Sequence, residues 1–553
     1  MDADLILTNG VVYTVDRERS RHEALAVRDG RIVCVGSAGD VAALGGPHTR
    51  VVDLAGRLVL PGFIDAHMHP KYSTGELFEA DLGGCRSVAD CLAAVARLAA
   101  AHPEYPAVRG WGWTPTAVCE REMTAGALDA IVPDRPVVLA DDSVHSHWVN
   151  SLMLQMAGIT RDTPDPHGGA IERLPDGTPS GLLREAWLSL ERALPAYDAG
   201  ALAAALRHFQ RHIAAPFGLT TVHEAGVLPG EPVLEAYEML QRQEELGVRF
   251  CLSLVLDPGL PLGEQIAAAV EERARHAGAL VRTAAVKLFV DGVIESHTAH
   301  LAGPYADRPG DRGPLVWAPE RLIEASVAAA RAGFQLHYHA IGDAAVSLSL
   351  EAIAAARAVD CARAADARDI ITHLQLVDPR DCSRFAALGV TAAVQPYWFA
   401  KDAAYDGEIY RPYLGRERAD HQYPMKSFWD HGVVVASSSD YPVSPPPDPL
   451  LGIQCGILRR DPRYPETSFE LWPEEAVTVE QMIESFTING AYANFLEDET
   501  GSLEPGKSAD LIVLGENVLE SPAERIDEAA VELTVFRGAP VYAAGAFEGL
   551  ASA

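Results

Sequence analysis

The central part of the chain alternates short apolar runs with longer, alanine-rich segments that have helical periodicity. The runs predict β-strands buried on both faces, and the segments between them predict amphipathic helices. This alternation is typical of a parallel sheet built from βα units. Eight runs qualify as strands, at residues 58–67, 219–226, 249–256, 284–292, 334–342, 369–376, 390–396 and 433–440. Eight repeats predict an α/β fold with a closed, TIM-like (β/α)8 barrel.

The two ends of the chain have a different pattern, with short strands separated by tight turns. Asn9-Gly10 and Asp29-Gly30 interrupt β-rich stretches near the N-terminus, and "SADLIVLG" and "VELTVFRGAPVYA" continue this pattern near the C-terminus. We expect residues 1–60 and 491–553 to form one composite β-sandwich, and residues 61–490 to form the barrel. The gap between the first two barrel strands is too long for a single βα connection. An inserted subdomain is therefore expected at roughly residues 71–215.

Composition narrows the class of protein. The chain has 45 basic and 77 acidic residues, a net charge of −32, which argues against nucleic acid or an anionic membrane as a partner. The N-terminus lacks the features of a signal peptide, and no apolar run approaches the ~20 residues of a membrane span. The eight cysteines form no C-x-x-C pair, as expected for thiols in a reducing cytoplasm. Any metal ion should therefore be held by nitrogen and oxygen.

Polar residues occupy the C-terminal ends of several predicted barrel strands, where barrel enzymes place their chemistry. His67 and His69 end the first strand, and alternation puts both side chains on one face. Imidazole nitrogens and a carboxylate suit Zn²⁺ or another divalent ion, which would activate a water molecule. Asp440 could bind the metal and accept the proton of that water. The remaining candidates for this site are Lys287, His339 and His373.

Lys287 would be an unusual neighbour for a metal ion unless its charge were removed. Carbamylation by CO₂ would convert this lysine into a carboxylate that bridges two metal ions roughly 3.5–4 Å apart. The alternative is a lysine that pairs with Asp291 or Asp440. The sequence leaves open whether one or two ions bind.

These motifs, in this order, resemble the amidohydrolase superfamily, and within it the YtcJ-like branch that includes N-substituted formamide deformylases. The resemblance is carried by "LVLPGFIDAHMHP", "VKLFVDGVIESHTA", "HAIGD", "ITHLQL", "SSDYPV" and "GSLEPGKSADLIVL". It implies that His67, His69, His339 and His373 are metal ligands, that Lys287 is the carbamylated bridge, and that Asp440 is both ligand and base. The chain departs from the branch at Thr372, which precedes His373, and at Glu295 and His297 in "GVIESHTA", two residues that are also candidates for contact with the substrate.

Further residues are candidates for contact with the substrate. The pair His145 and His147 repeats the His-x-His spacing inside the insertion, and the resemblance places His145 near the substrate. His337 shares a face with His339 but lies one layer deeper, which favours packing behind the site over ligation. An apolar pocket could be formed by aromatic residues, which are more often part of a core, namely Trp111, Trp113, Tyr397, Trp398 and Phe399.

We therefore predict a cytoplasmic, metal-dependent hydrolase that uses metal-activated hydroxide to cleave a non-peptide C–N bond, an amide or an N-acyl or N-formyl group, in a small molecule. Zinc is the expected metal, and the resemblance allows a homodimer. A lactone, carbamate or phosphotriester hydrolase using the same centre is an alternative enzyme. A scaffold that kept the fold and lost catalysis is the alternative from another class.

Overall fold

The computed structural model describes residues 2–166, 168–359, 366–444 and 446–550. Its centre is a sheet of eight strands in which each strand runs parallel to the next one along the chain. We number these barrel strands β1 (Phe63–Met68), β2 (Leu219–Val227), β3 (Arg249–Val255), β4 (Val281–Phe289), β5 (Gln335–Ala340), β6 (Ile370–His373), β7 (Thr391–Val394) and β8 (Val435–Ser437). Each overlaps one of the eight predicted runs, so the prediction of a TIM-like α/β barrel is confirmed.

The barrel closes between β1 and β8 through contacts made just beyond the regular strands. The Asp440 amide donates to the carbonyl of His67 at 2.9 Å, and the His69 amide donates to the carbonyl of Tyr441 at 2.8 Å. The buried Asp65 carboxylate accepts hydrogen bonds from the amides of His67 and Ser439. The last strand is thereby attached to the first at the end of the barrel where the candidate site lies.

The first predicted run, 58–67, proves to be two strands, Leu58–Pro61 and β1. The break falls at Gly62, where a Cβ atom would lie 2.3 Å from the side chain of Thr220. Glycine permits this close approach, and the chain then turns from one sheet into the other.

Helices surround the barrel and bury their apolar faces against it. In Pro319–Arg331, for example, Leu322, Ala325 and Ala329 are buried at helical spacing. Asp378 caps the N-terminus of Pro379–Leu388, and Gly389 ends that helix in the left-handed conformation. The helices packed around the barrel and beneath it are Ala199–His208, Pro232–Arg242, Leu262–Arg275, Pro319–Arg331, Asp343–Val359, Pro379–Leu388, Met425–Asp430, Pro449–Leu458, Val479–Ser485 and Ile488–Ala493.

Strands from both ends of the chain form two sheets beside the barrel. One contains, in spatial order, Arg31–Gly36, Ala24–Arg28, Leu5–Thr8 and Arg50–Asp53. The other contains Ala539–Ala543, Val531–Phe536, Leu511–Leu514, Leu58–Pro61, Val11–Tyr13 and Arg21–His22. Antiparallel pairing of Leu511–Leu514 with Leu58–Pro61 joins the two ends of the chain, and apolar residues of both sheets share one core.

A third sheet lies between β1 and β2 in the sequence. Its strands, in spatial order, are Ala170–Arg173, Pro179–Arg184, Ser146–Val149, Val137–Asp141, Val108–Trp113 and Ala80–Asp81. The helix Val88–Ala101 packs on this sheet over a separate hydrophobic core. The Glu185 carboxylate accepts a hydrogen bond from Thr298, so the insertion is attached to the loop that follows β4.

A shorter element follows β7, where Ala400–Asp402 pairs with Ser468–Glu470. Short helices continue from it at Ala403–Tyr405, Arg411–Leu414 and Arg416–Asp420. No helix among the described residues is long and apolar enough to cross a membrane. The described cysteines are free thiols, and Cys361 lies outside the described residues.

Candidate metal centre and substrate cavity

The side chains of His67, His69 and Asp440 meet where β1 and β8 end. One nitrogen or oxygen atom of each lies within 4.8 Å of the others. Asp440 Oδ1 is 3.3 Å from His67 Nε2 and 3.2 Å from His69 Nε2, yet it is buried and has no partner with proper hydrogen-bond geometry among the described residues. Buried acceptors are normally satisfied. Two imidazole nitrogens and a carboxylate oxygen that converge in this way fit a divalent ion such as Zn²⁺.

The electrostatics of these groups suit metal binding. Burial lowers the pKa of His67 and that of His69, so that both rings favour the neutral form that can bind a metal. Burial alone would raise the pKa of Asp440, but the adjacent His69 and His373 hold it below its usual value. Asp440 therefore stays a carboxylate.

Lys287 lies at the same place, on β4. It is fully buried, and its Nζ is 3.4 Å from His67 Nε2. Burial lowers the pKa of Lys287 to about 7, so the neutral amine is readily populated. Asp291, one of the acids considered as its partner, instead accepts hydrogen bonds from three backbone amides, those of His300, Ile341 and Gly342.

His339 and His373 lie beside the candidate metal centre as well. The ring centroid of His373 lies 4.4 Å from that of His339 and 5.1 Å from that of His67. His373 Nδ1 is 3.1 Å from Gln395 Oε1, and the Gln395 amide also donates to Thr372. Thr372, which precedes His373 on β6, thus helps to fix the glutamine that holds His373. The side chains proposed as metal ligands lie around one region, and among the described histidines and acids only His67, His69 and Asp440 form a group of three whose ligand atoms all lie within 4.8 Å of one another.

A cavity with two lobes opens at this centre, and Ser143, His145, His339, His373, Asp440 and Val443 line both lobes. The first, which we call the apolar lobe after its aromatic and aliphatic wall, has a volume of about 360 Å³. That wall includes Trp111, Trp187, Leu194, Leu228 and Phe289, and charged side chains also line the lobe, namely Lys71, Glu79, Arg109, Glu191 and Glu231. The second, which we call the acidic lobe, has a volume of about 430 Å³, and its other lining residues include Asp142, Glu295, Trp398, Asp402, Tyr405 and Tyr410. Both volumes suit a small-molecule ligand.

Two carboxylates of the acidic lobe are held by tyrosines rather than by basic side chains. Tyr405 donates its hydroxyl hydrogen to Asp142, and Tyr410 donates to Glu295, each at 2.8 Å. Burial raises the pKa of Asp142 to about 6, and it also raises the pKa of Glu295. Neither carboxylate forms an ion pair with a basic side chain among the described residues, which is unusual for a buried carboxylate.

Most of the predicted substrate residues line the cavity. Trp111 lines the apolar lobe, whereas Glu295, Tyr397 and Trp398 line the acidic lobe. Trp398 also stacks on His373 and donates its indole hydrogen to Ser444. His145 lies at the junction of the lobes.

His145 is fixed by Glu185, whose Oε2 lies 2.8 Å from Nδ1 of the ring. Burial alone would lower the pKa of His145, but the Glu185 carboxylate raises it to about 9. The His145 ring centroid lies 5.1 Å from that of His339. His147, the second histidine of the pair, is buried and lines only the apolar lobe.

Three predicted substrate residues lie elsewhere. Phe399 is buried in the barrel core, where its ring packs against that of Tyr423. Trp113 is buried in the core of the insertion, because the pairing register shifts between Trp111 and Trp113 and Gly112 has φ +97°. The shift breaks the alternation that would have put both indoles on one face. His297 lines neither lobe; it contacts Asp307 at 2.9 Å, and its ring centroid lies 3.9 Å from that of Tyr413.

Sequence reasoning missed several residues of the cavity. Asp142 of the insertion and Tyr405 and Tyr410 of the segment after β7 line the acidic lobe, and Glu185 of the insertion lies behind His145. None of them ends a barrel strand, so the strand-end rule could not find them. The one available signal was the position of Asp142 close before His145.

The chain matches the model of the amidohydrolase family over residues 50–542. It belongs to the amidohydrolase family. This amidohydrolase is 30% identical to YtcJ of Bacillus subtilis, with 96% of this chain and 98% of that one covered. It is 28% identical to the N-substituted formamide deformylase of Arthrobacter pascens, with 97% of each chain covered. Among solved structures, a metal-dependent hydrolase of Pyrococcus horikoshii OT3 is similar with a TM-score of 0.72 at 25% identity, covering 94% of this chain and 99% of that one.

The amidohydrolase is thus a hydrolase of C–N bonds, and its fold is that of metal-dependent hydrolases. The sequence-based prediction of the family and of the enzyme class is confirmed. The similarity extends over nearly the full length of the chain, so it includes the insertion and the strands from both ends.

Proposed function

We propose that this amidohydrolase hydrolyses an amide, N-acyl or N-formyl bond of a small molecule that spans the two lobes. The observation that carries the proposal is the position of Asp440, which lines both lobes and forms the candidate metal-binding cluster with His67 and His69 of the apolar lobe. A scissile bond at this point would leave one half of the substrate in each lobe. The name of the relative from Arthrobacter pascens supports an N-formyl or N-acyl amine as the first substrate to test.

His67, His69 and Asp440 would hold the metal ion, with His339, His373 and Lys287 around them. Zinc is the ion we propose, because its preferred ligands are nitrogen and oxygen donors of this kind. When bound, such an ion activates water and polarises the carbonyl group. Asp440 would accept the proton of the attacking water and return it to the leaving amine.

His145 has a separate role at the junction. With Nδ1 hydrogen-bonded to Glu185, the ring is fixed at the rim of both lobes. We assign to it a hydrogen bond to the carbonyl oxygen of the substrate, where charge develops during attack. An imidazole held by a carboxylate supplies such a donor without rearrangement.

Lys287 is proposed to carry a carbamate. Its neutral amine nitrogen would form a bond to the carbon of CO₂ and release one proton, which gives a carbamate anion in place of a buried cation. The fully buried position beside His67 Nε2 supports this proposal. Supply of ¹³C-labelled bicarbonate should give a carbamate carbon signal in the NMR spectrum of the wild type, and this signal should be absent from Lys287→Met.

The substrate should differ in character at its two ends. Trp111, Trp187 and Phe289 line one lobe and favour an apolar group. Asp142 and Glu295, with tyrosines around them, favour a positively charged group or a hydrogen-bond donor in the other lobe.

Metal removal and a substrate panel test the proposal. The enzyme should lose hydrolysis of N-formyl or N-acyl amines when the metal is chelated and should regain it with zinc. Lactones, carbamates and phosphotriesters form the comparison set. Equal rates with and without metal, or hydrolysis confined to the comparison set, would show the proposal to be wrong.

A further inference from the structure

A chain of hydrogen bonds runs from the candidate metal centre into the interior of the barrel. His67 Nδ1 lies 2.8 Å from His337 Nε2, and His337 Nδ1 lies 3.0 Å from the hydroxyl oxygen of Ser253. The same hydroxyl oxygen lies 2.7 Å from His223 Nε2. The four residues come from β1, β5, β3 and β2, so the chain crosses the barrel below the site.

All four side chains are buried, with at most 1% of each exposed. Removal from water disfavours the charged form of an imidazole, so these three adjacent buried rings are neutral. A neutral imidazole has one donor nitrogen and one acceptor nitrogen, and a hydroxyl group has one hydrogen to donate. The single hydrogen between His67 and His337 therefore lies either on His67 Nδ1 or on His337 Nε2.

Only one direction leaves His67 ready to bind a metal. If His67 Nδ1–H donates to His337, His337 donates to Ser253 and Ser253 donates to His223, then His67 Nε2 keeps its lone pair. In the opposite direction His67 carries its proton on Nε2. That proton would face Asp440 Oδ1, 3.3 Å away. The two tautomers of His67 thus compete. In the absence of metal, Asp440 favours the tautomer with the proton on Nε2, which has no lone pair on that atom for a metal ion.

We propose that His337, Ser253 and His223 form a positioning chain that keeps the proton of His67 on Nδ1, so that Nε2 is free to bind the metal. This inference rests on the proposed role of His67 as a metal ligand. It gives His337, the deeper member of the third His-x-His pair, a role beyond packing. Hydrogen bonds that orient a metal-binding histidine commonly contribute 10–100-fold to metal affinity.

Two substitutions at one position test the chain. His337→Leu fills similar space but removes the acceptor for His67, and we expect zinc affinity to fall about 10–100-fold. His337→Gln retains an amide oxygen that can accept from His67 and an amide hydrogen that can donate to Ser253, so it should restore most of the affinity. His276→Leu is the matched control, because His276 is a buried histidine bonded within its own helix end, outside the centre.

Two readouts separate the chain from the metal site itself. Zinc dissociation constants come from competition with a chelator. Nitrogen-15 NMR of the metal-free protein reports the tautomer of His67, which should carry its proton on Nδ1 in the wild type and on Nε2 in His337→Leu. Equal zinc affinity of the wild type and His337→Leu would overturn the inference.

A wild type that binds no zinc would contradict the proposed site, and the NMR result would still decide the positioning chain. An Nε2 proton on His67 in the wild type would overturn that chain. A loss of affinity in His276→Leu equal to that in His337→Leu would also overturn it, since removal of any buried histidine would then have the same effect.

Discussion

Two residues at the centre of the site have backbone conformations that side chains rarely adopt. Asp440 has φ +57° and His373 has φ +78°. A residue other than glycine in this region costs of the order of 1–3 kcal/mol, and such strain persists where surrounding contacts fix it. At Asp440 the fixing contacts are backbone hydrogen bonds to His67 and Val443. The strain places its carboxylate between the two histidines of β1.

Asp440→Asn should abolish most of the hydrolysis while the protein stays folded. Asparagine has the same size and keeps one oxygen, but it cannot accept the proton of the attacking water. We expect kcat to fall about 10²–10⁴-fold, the usual contribution of a positioned general base. Asp343→Asn is the control, because Asp343 also follows a barrel strand but bonds to the amides of Ala302 and Ala344. Activity of Asp440→Asn within threefold of the wild type would remove Asp440 from the mechanism.

At the scale of elements, the site depends on how β1 meets β8. Asp65 connects them by accepting hydrogen bonds from the His67 amide at 3.1 Å and from the Ser439 amide at 2.9 Å. His67 is a candidate ligand, and Ser439 immediately precedes Asp440. One buried carboxylate therefore sets the distance between the two parts of the candidate metal centre.

Asp65→Asn should lower both stability and metal affinity. Its amide group would face a backbone N–H that needs an acceptor, and a buried donor left without a partner costs about 1–3 kcal/mol. Thermal unfolding and zinc competition measure the two effects. Asp369→Asn is a matched control: Asp369 is also buried and accepts from a strand amide, that of Leu336, but it lies at the opposite end of β6. We expect Asp369→Asn to unfold at a lower temperature and to keep its zinc affinity. An equal loss of zinc affinity in both variants would contradict the specific role of Asp65.

At the scale of the whole molecule, the sequence predicted the parts that follow from local repetition. The barrel strands are buried on both faces, so each appears in the sequence as an apolar run between amphipathic helices. This pattern was sufficient to predict all eight strands. The same repetition marked the strand ends, and so led to His67, His339 and Asp440. Alternation failed at Trp113, because a register shift beside Gly112 turned its side chain into the core of the insertion.

The acidic lobe could not be predicted, because it is assembled from segments remote in the sequence. Asp142 comes from the insertion, Glu295 from the loop after β4, and Tyr405 from the segment after β7. Their proximity depends on how three elements pack over the barrel, which no local pattern encodes. From the sequence, Glu295 could be noted only as an unexpected residue in "GVIESHTA", without its partners in the acidic lobe.

This assembly predicts a pH dependence that separates charged from neutral substrates. Burial raises the pKa of Asp142 to about 6, so Asp142 is protonated below that pH and negatively charged above it. A substrate with a positive charge in the acidic lobe should therefore bind better as pH rises through about 6, seen as a fall in KM. A neutral substrate of the same shape should show no such change, because it gains nothing from the negative charge.

Asp142→Asn and Asp402→Asn test the origin of this effect. Both acids line the acidic lobe, but Asp402 lies on its exposed rim, where it caps the helix Ala403–Tyr405. Asp142→Asn should raise KM for the charged substrate about tenfold at pH 7, the equivalent of about 1.4 kcal/mol, and should remove the change near pH 6. Asp402→Asn should have little effect, since water and salt screen an exposed charge. If KM of the charged and the neutral substrate changed in parallel with pH, Asp142 would not be the group that recognises the charge, and the acidic lobe would bind its ligand by shape alone.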